Sequence, residues 1–161
     1  MKAVVEELKR VLSEELAVYQ KLLQLALEKK KLLLEKFSTD FQTIVSQEEQ
    51  LVQRLVELEP ERRNCVVRIS GSVGANLDVA VEKIAETDGK SDLWLVGTQL
   101  REVVSKIKVV NDENQKLLER ALELTQYSIK LITRAPADVT YGPGGRQPGA
   151  ISKPSLVDRK A

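Results

Sequence analysis

The feature that most constrains this chain is an apolar heptad pattern that runs from residue 93 to residue 131. Steps of three and four residues alternate in it without a slip, which is typical of a long helix that packs along one seam. Asp92 can cap its first turn, and Arg134 followed by Pro136 suits its end, so we predict one long helix here. The seam consists of Leu93, Val96, Leu100, Val103, Ile107, Val110, Asn114, Leu117, Ala121, Leu124, Ser128 and Leu131.

Two more helices are predicted in the first half of the chain. Apolar residues recur in steps of three and four over residues 5–33 and again over residues 41–58, and the stretch 37–40 offers possible N-cap side chains between them. The two stretches could also form one continuous helix. That helix would be roughly 80 Å long and would need partners elsewhere, so we favour an antiparallel hairpin.

Helix-breaking residues divide the middle of the chain. Pro60 should kink or restart the second helix near Glu59, because proline removes a backbone donor. The Gly-rich stretch 70–74 should then end it, and residues 76–86 are predicted to form a short amphipathic helix.

The end of the chain has the composition of a tail. From residue 135 onward it holds four of the five prolines and four of the eight glycines, with almost no apolar periodicity. The expected architecture is therefore all-α and elongated: a long antiparallel helical hairpin, a short helix and a long C-terminal helix. Residues 1–134 should form the helical domain, and residues 135–161 a flexible Pro/Gly-rich tail.

Composition argues against several classes of function. A net charge of +1 gives no field to attract nucleic acid. No stretch is apolar enough to insert into a membrane and the first residues lack a signal-peptide core, so a cytoplasmic protein is expected. The lack of histidine removes Ser-His-Asp catalysis and the usual zinc sites. We therefore expect no enzyme activity, no cofactor and no metal, and we expect Cys65 to be a small buried apolar side chain.

The apolar face of the last helix widens beyond Asn114. A second apolar stripe lies beside the seam there, and one partner helix does not need a face of this width. We predict that another protein's helix packs on it, although the stripe could also complete the chain's own core. The stripe consists of Leu118, Leu122, Thr125, Ile129 and Ile132.

Asn111 and Asn114 lie one turn apart on the same side of this helix. Each amide can donate and accept hydrogen bonds. Asn114 could contact polar backbone at a break in a neighbouring helix, recognise the backbone of a bound protein, or set the register of the bundle.

Three short motifs give the chain a family resemblance. Residues 58–62 contain Leu-Glu-x-x-Arg, residues 111–118 contain Asn-x-x-Asn-x-x-Leu-Leu, and residues 141–145 contain Tyr-Gly-x-x-Gly. In this order and spacing, on a helical chain without histidine, they resemble the FlgN family of bacterial flagellar export chaperones.

The resemblance implies a cytoplasmic helical chaperone that binds the helical C-terminal region of hook-associated proteins, prevents their premature self-association and delivers them to the membrane-embedded export gate. It also implies gate docking through Tyr141, Gly142 and Gly145. The alternative is a structural coiled-coil or helical adaptor protein without a secretion role, and the client and the oligomeric state stay open. The residues predicted to bind the client are Asn111, Asn114, Leu117, Leu118, Leu122, Thr125, Ile129 and Ile132.

Overall fold

The computed structural model describes residues 1–35 and 40–140, with side chains up to residue 134 in the last helix. Within these residues the chain is all-α, which confirms the predicted fold class. Residues 1–115 form one compact unit and residues 116–161 belong to a second. The helices are α1 (Lys2–Glu35), α2 (Asp40–Ser70), α3 (Leu77–Glu82) and α4 (Lys90–Thr140), with a single 3-10 turn at Glu86–Asp88.

The predicted hairpin of α1 and α2 is confirmed, and two ion pairs show its direction. Glu15 and Lys29 interrupt the apolar seam of α1, and each meets an opposite charge on α2. Arg62 lies 3.3 Å from Glu15, and Glu48 lies 2.5 Å from Lys29. The later residue of α1 pairs with the earlier residue of α2, so the helices are antiparallel.

Helix α2 continues through Pro60, so the predicted restart near Glu59 was wrong, and the predicted kink stays a prediction. Proline cannot donate to the carbonyl one turn earlier, which belongs to Val56. Pro60 and Val56 both lie on the exposed side of the helix. On the exposed side of a helix, water can hydrogen-bond a freed carbonyl, which lowers the cost of a proline there.

The short helix that follows α2 is shorter than predicted. Asn76 caps α3 through its side-chain oxygen, which accepts a hydrogen bond of 3.0 Å from the backbone N–H of Val79. The helix ends at Glu82 rather than at residue 86. Gly89 then adopts a left-handed φ of 94° and lies against Val5 of α1, which brings the chain back to the beginning of the first helix.

The first part of α4 runs parallel to α1. Lys9 donates to Asp92 and Lys30 donates to Glu113, each over 2.6 Å and each across a sequence separation of 83 residues. Because the separation is the same, both helices advance in the same direction. Asp92 thus lies inside the first turn and pairs with α1, so its predicted role as a cap was wrong.

The far end of α4 also differs from the prediction. Its backbone continues to Thr140, beyond the end predicted at Arg134. A proline such as Pro136 keeps a helical φ of about −65° and removes one N–H, so it marks a weak point in a helix rather than an obligatory end. The division into a domain of residues 1–134 and a tail of residues 135–161 stays a prediction.

The core of the first unit collects one face from each of its helices. Cys65 is fully buried in it, as expected of a small apolar side chain, and burial raises the pKa of its thiol. The buried core residues are Val5, Leu8, Leu12, Cys65, Val66, Ile69, Ala80, Val81, Ile84, Leu93 and Leu100.

A buried carboxylate lies at the edge of this core. Glu15 is 7% exposed, and burial raises its pKa above the ordinary value, although the positive charge of Arg62 opposes the shift. Arg62 also donates hydrogen bonds to Glu59. Burial acts to raise the pKa of Glu59 as well, but the hydrogen bonds from Arg62 and Arg63 outweigh it and the pKa of Glu59 is lowered.

We expect the Glu15→Gln variant to gain stability relative to wild type as the pH rises. Because the pKa of Glu15 is raised on folding, the folded chain binds more protons between the unfolded and folded pKa values, and wild-type stability falls as pH rises through that window. The Glu15→Gln variant does not lose this stability as the pH rises, because glutamine does not titrate. Arg62 keeps Glu59 as its partner in the variant.

Urea unfolding at pH 4 and at pH 7 measures this effect. The free energy of unfolding of the variant, minus that of wild type, should be larger at pH 7. The control is the same substitution at an exposed position of α2, Glu49→Gln. A difference for Glu15→Gln that is equal at both pH values would contradict the expectation.

Candidate protein-binding site

The second unit presents apolar side chains of α4 to the solvent. Leu122 is 56% exposed, Ile129 45% and Ile132 68%, and the seam residues Leu124 and Leu131 are 66% and 49% exposed. The seam of the same helix is buried at Leu93 and Leu100. The predicted widening of the apolar face beyond Asn114 therefore falls on a segment whose large apolar side chains are open to a partner.

The exposed apolar side chains form two ridges with mostly smaller side chains between them. Successive residues of a helix turn by about 100°, which places Leu122 and Leu131 about 180° apart around the axis. We call Leu117, Leu124 and Leu131 the seam ridge, and Leu118, Leu122 and Ile129 the outer ridge. Leu117 and Leu118 are half-buried and the other four ridge residues are exposed. Between the ridges lie the smaller side chains of Ala121, Thr125 and Ser128 and, at the C-terminal end of the face, Ile132.

Thr125 adds apolar rather than polar surface between the ridges. Its hydroxyl donates a hydrogen bond of 2.9 Å to the carbonyl of Ala121, one turn earlier in the same helix. The hydroxyl is therefore already paired, and the methyl group is the part of the side chain left for contact. This suits a surface that binds by packing.

Asn114 differs from the exposed ridge residues because its side chain is buried. It is 5% exposed and belongs to the first unit, where its Nδ2 donates to the carbonyl of Ala26 over 2.9 Å. Helix α1 is continuous at Ala26, so the predicted break in the neighbouring helix was wrong. The Oδ1 atom is buried without a hydrogen-bond partner among the described residues. Asn111, by contrast, is exposed. The contact of either asparagine with a client stays a prediction.

The residues predicted to dock at an export gate, Tyr141, Gly142 and Gly145, lie outside the described residues. Their role also stays a prediction.

An apolar groove in the hairpin was not foreseen from the sequence. It has a volume of about 750 Å³ and lies over α1 and α2, between Tyr19, Leu55, Pro60 and Val67. Trp94, 63% exposed on α4, is a second apolar feature of the first unit that the prediction did not use. Helical periodicity identifies the apolar positions of a helix but does not show which of them stay exposed. The groove and Trp94 could therefore not be predicted from periodicity.

Two features are absent from the described part of the chain. Residues 1–35 and 40–140 contain no group of three or more acidic or cysteine side chains placed to hold a metal ion. None of the helices traced in those ranges has the length and hydropathy of a membrane-spanning segment.

Long helices around one core, with an apolar helical face left open, define a helical protein-binding protein. The profile of the family described as FlgN protein matches residues 1–149, and the chain belongs to this family. FlgN proteins are flagellar export chaperones that bind hook-associated proteins. The chain is also 26% identical to the uncharacterized protein YvyG of Bacillus subtilis strain 168, over 99% of this chain and 98% of that protein. No solved structure matches.

The structure gives a physical role to one motif of the family resemblance. In Leu-Glu-x-x-Arg, Leu58 is fully buried, and Glu59 and Arg62 pair with one another one turn apart. Arg62 also reaches Glu15 of α1. The motif therefore stabilises the hairpin.

We expect the Asn114→Leu variant to be more stable than wild type. The change removes a buried acceptor without a partner and completes the apolar seam, while the Ala26 carbonyl keeps its place in the hydrogen-bond ladder of α1. The gain should be about 1–3 kcal/mol in the free energy of unfolding, measured with urea.

Asn111→Leu is the matched control, because it changes the same residue type at an exposed position one turn away, and it should stay within about 0.5 kcal/mol of wild type. A loss of stability in Asn114→Leu would show that the single bond to Ala26 outweighs the unpaired oxygen. Affinity for a hook-associated protein, measured on the same samples, tests the predicted client contact: a tenfold loss would support it.

Proposed function

We propose that this chain is a cytoplasmic chaperone that holds the helical C-terminal region of a hook-associated protein against residues 117–132 of α4, prevents premature self-association of that client and delivers it to the export gate. The observation that carries the proposal is the exposure of both apolar ridges in a chain that belongs to a family of flagellar export chaperones. Covering these ridges with the apolar face of a client helix would bury both surfaces together.

The chemistry of the face favours a helical client. Large apolar side chains at steps of three and four residues are the pattern that another amphipathic helix can match by interlocking its own side chains. The polar groups of the segment lie on the other side of the helix, where Glu119, Glu123, Gln126 and Lys130 are exposed. The ridges thus offer packing, and the opposite side keeps the loaded chaperone hydrated.

The separation of folding from binding supports a chaperone role. The buried core residues belong to the first unit, whereas the exposed residues of both ridges belong to the second. Substitutions on the ridges should therefore alter binding without removing core contacts. This division permits a direct test of the client surface.

We expect the double change Leu122→Asp and Ile129→Asp to weaken client binding by roughly a hundredfold or more. Burial of a side chain of this size contributes about 1.5–3 kcal/mol, and about 1.4 kcal/mol corresponds to a tenfold change in Kd. Burying an unpaired carboxylate adds a further cost. Calorimetric titration with a purified hook-associated protein measures the affinity, and circular dichroism measures the fold, which should be unchanged.

The matched control is Gln126→Asp with Lys130→Asp, which adds two acidic groups to the polar side of the same segment and should leave Kd within about threefold of wild type. Normal binding by the Leu122→Asp, Ile129→Asp variant would place the client elsewhere on the chain. Unfolding of that variant on its own would show that the outer ridge belongs to the core.

We further propose that Tyr141, with Gly142 and Gly145, forms a separate contact with the gate. An aromatic side chain among glycines can serve as an anchor on a partner, and the Tyr-Gly-x-x-Gly motif is part of the family resemblance. Tyr141→Ala should leave the Kd for the client unchanged and lower the affinity for the purified gate protein at least tenfold, with a matching loss of client secretion.

The client-face variant provides the reciprocal control for this experiment. The variant with Leu122→Asp and Ile129→Asp should lose affinity for the client and keep its affinity for the gate protein. If Tyr141→Ala abolishes client binding, or leaves secretion unchanged, the two contacts are not separate and the gate-docking proposal is wrong.

A further inference from the structure

The width of the exposed face indicates how many helices of the client pack on it. This inference rests on the function proposed above. A helix that packs on one neighbour uses an apolar stripe about 100° wide. The two ridges are wider, since Leu122 on the outer ridge and Leu131 on the seam ridge lie about 180° apart. Both side chains are about half exposed. One client helix cannot face both of them.

We infer that the client contributes two helical segments, one along the seam ridge and one along the outer ridge. In a packed group of three helices, the two neighbours of any one helix lie about 60° apart as seen from its axis, and each contact needs a stripe of about 100°. The combined face is about 160° wide. This is close to the angle between Leu122 and Leu131, so residues 117–132 have the face that a helix presents to two neighbours.

The residues between the ridges fit the same arrangement. Ala121, Thr125 and Ser128 occupy this line, and the side chains of Ala121 and Ser128 project little beyond the backbone. Over residues 121–128, two client helices that contact each other above this line meet only short side chains. Ile132, which is 68% exposed, adds one large side chain at the C-terminal end of the line. The larger residues on either side then fill the spaces between each client helix and α4.

Charge distinguishes the two positions. Lys116, Arg120 and Arg134 are exposed along the polar edge beside the seam ridge, with Glu123 as the acidic exception. The edge beside the outer ridge holds Glu119, Gln126, Lys130 and Thr133, so its one basic side chain is balanced by one acidic side chain. The client segment on the seam ridge should therefore carry acidic residues along the edge that faces Arg120, and the segment on the outer ridge need not.

Site-specific crosslinking tests this arrangement, and the chain suits it because its one cysteine, Cys65, is fully buried. Leu131→Cys and Leu122→Cys variants of the full chain are labelled with a cysteine-reactive benzophenone and irradiated in complex with a full-length hook-associated protein. Mass spectrometry then identifies the client segment attached to each label. Labelled Gln126→Cys, on the polar side, and the wild-type chain are the controls, and each should crosslink at least tenfold less.

The expected result is that the two ridge labels attach to two different helical segments of the client, each with at least a tenfold preference. Attachment of both labels to one segment overturns the two-helix arrangement and leaves the proposed function intact. No attachment from either ridge, with the client still bound, overturns the proposed function as well.

An affinity measurement without labels gives a second, independent readout. Leu124→Ala with Leu131→Ala removes the exposed part of the seam ridge, and Leu122→Ala with Ile129→Ala removes that of the outer ridge. Each pair should weaken binding of the full client at least tenfold. A client fragment shortened to one helical segment should respond to only one pair, and equal sensitivity of that fragment to both pairs contradicts the inference.

Discussion

Two partly buried ion pairs hold the register on which the rest of the first unit depends. Glu15 and Lys29 lie in the apolar seam of α1, and Arg62 and Glu48 of α2 meet them at the same spacing. A buried charge without a partner is strongly destabilising, so a slip of one turn between the helices would carry that cost at Glu15 and a smaller cost at the partly buried Lys29. The pairs contribute more to selecting one register than to overall stability. Once this register is set, the apolar faces of α1 and α2 meet and form the core that α3 and the first part of α4 complete.

A single helix serves two purposes in this chain because the surroundings of its seam change along its length. At Leu93 and Leu100 the seam is buried in the core of the first unit, and at Leu124 and Leu131 the same heptad positions are exposed. Packing of the first part supplies the folding energy, since helices depend on tertiary contacts more than on propensity. The exposed part leaves apolar surface uncovered, and the client binding proposed for this chain of the FlgN family rests on that exposure.

Several sequence-based expectations failed at helix boundaries, and the failures have one cause. Pro60, Asp92 and Pro136 were interpreted as local signals for a break, a cap and an end, and α2 and α4 continue through all three positions. Such signals are worth about 1–3 kcal/mol each. Packing of a long amphipathic face and solvation of a freed carbonyl can exceed that amount. Local signals are therefore weakest in long helices, where many other contacts maintain the helical backbone.

The sequence by itself determined the all-α class, the positions of the long helices, the preference for a hairpin and the widening of the apolar face beyond Asn114, because each follows from residue type and a period of 3.6. Only the tertiary structure decided which residues meet. Arg62 with Glu15, Glu48 with Lys29 and Asn114 with Ala26 join positions far apart in the chain. It also decided that the ridges on α4 are open while the earlier seam is covered. A periodic pattern shows which side of a helix is apolar. Whether that side is buried depends on which other helices pack against it, and the sequence of one helix does not specify them.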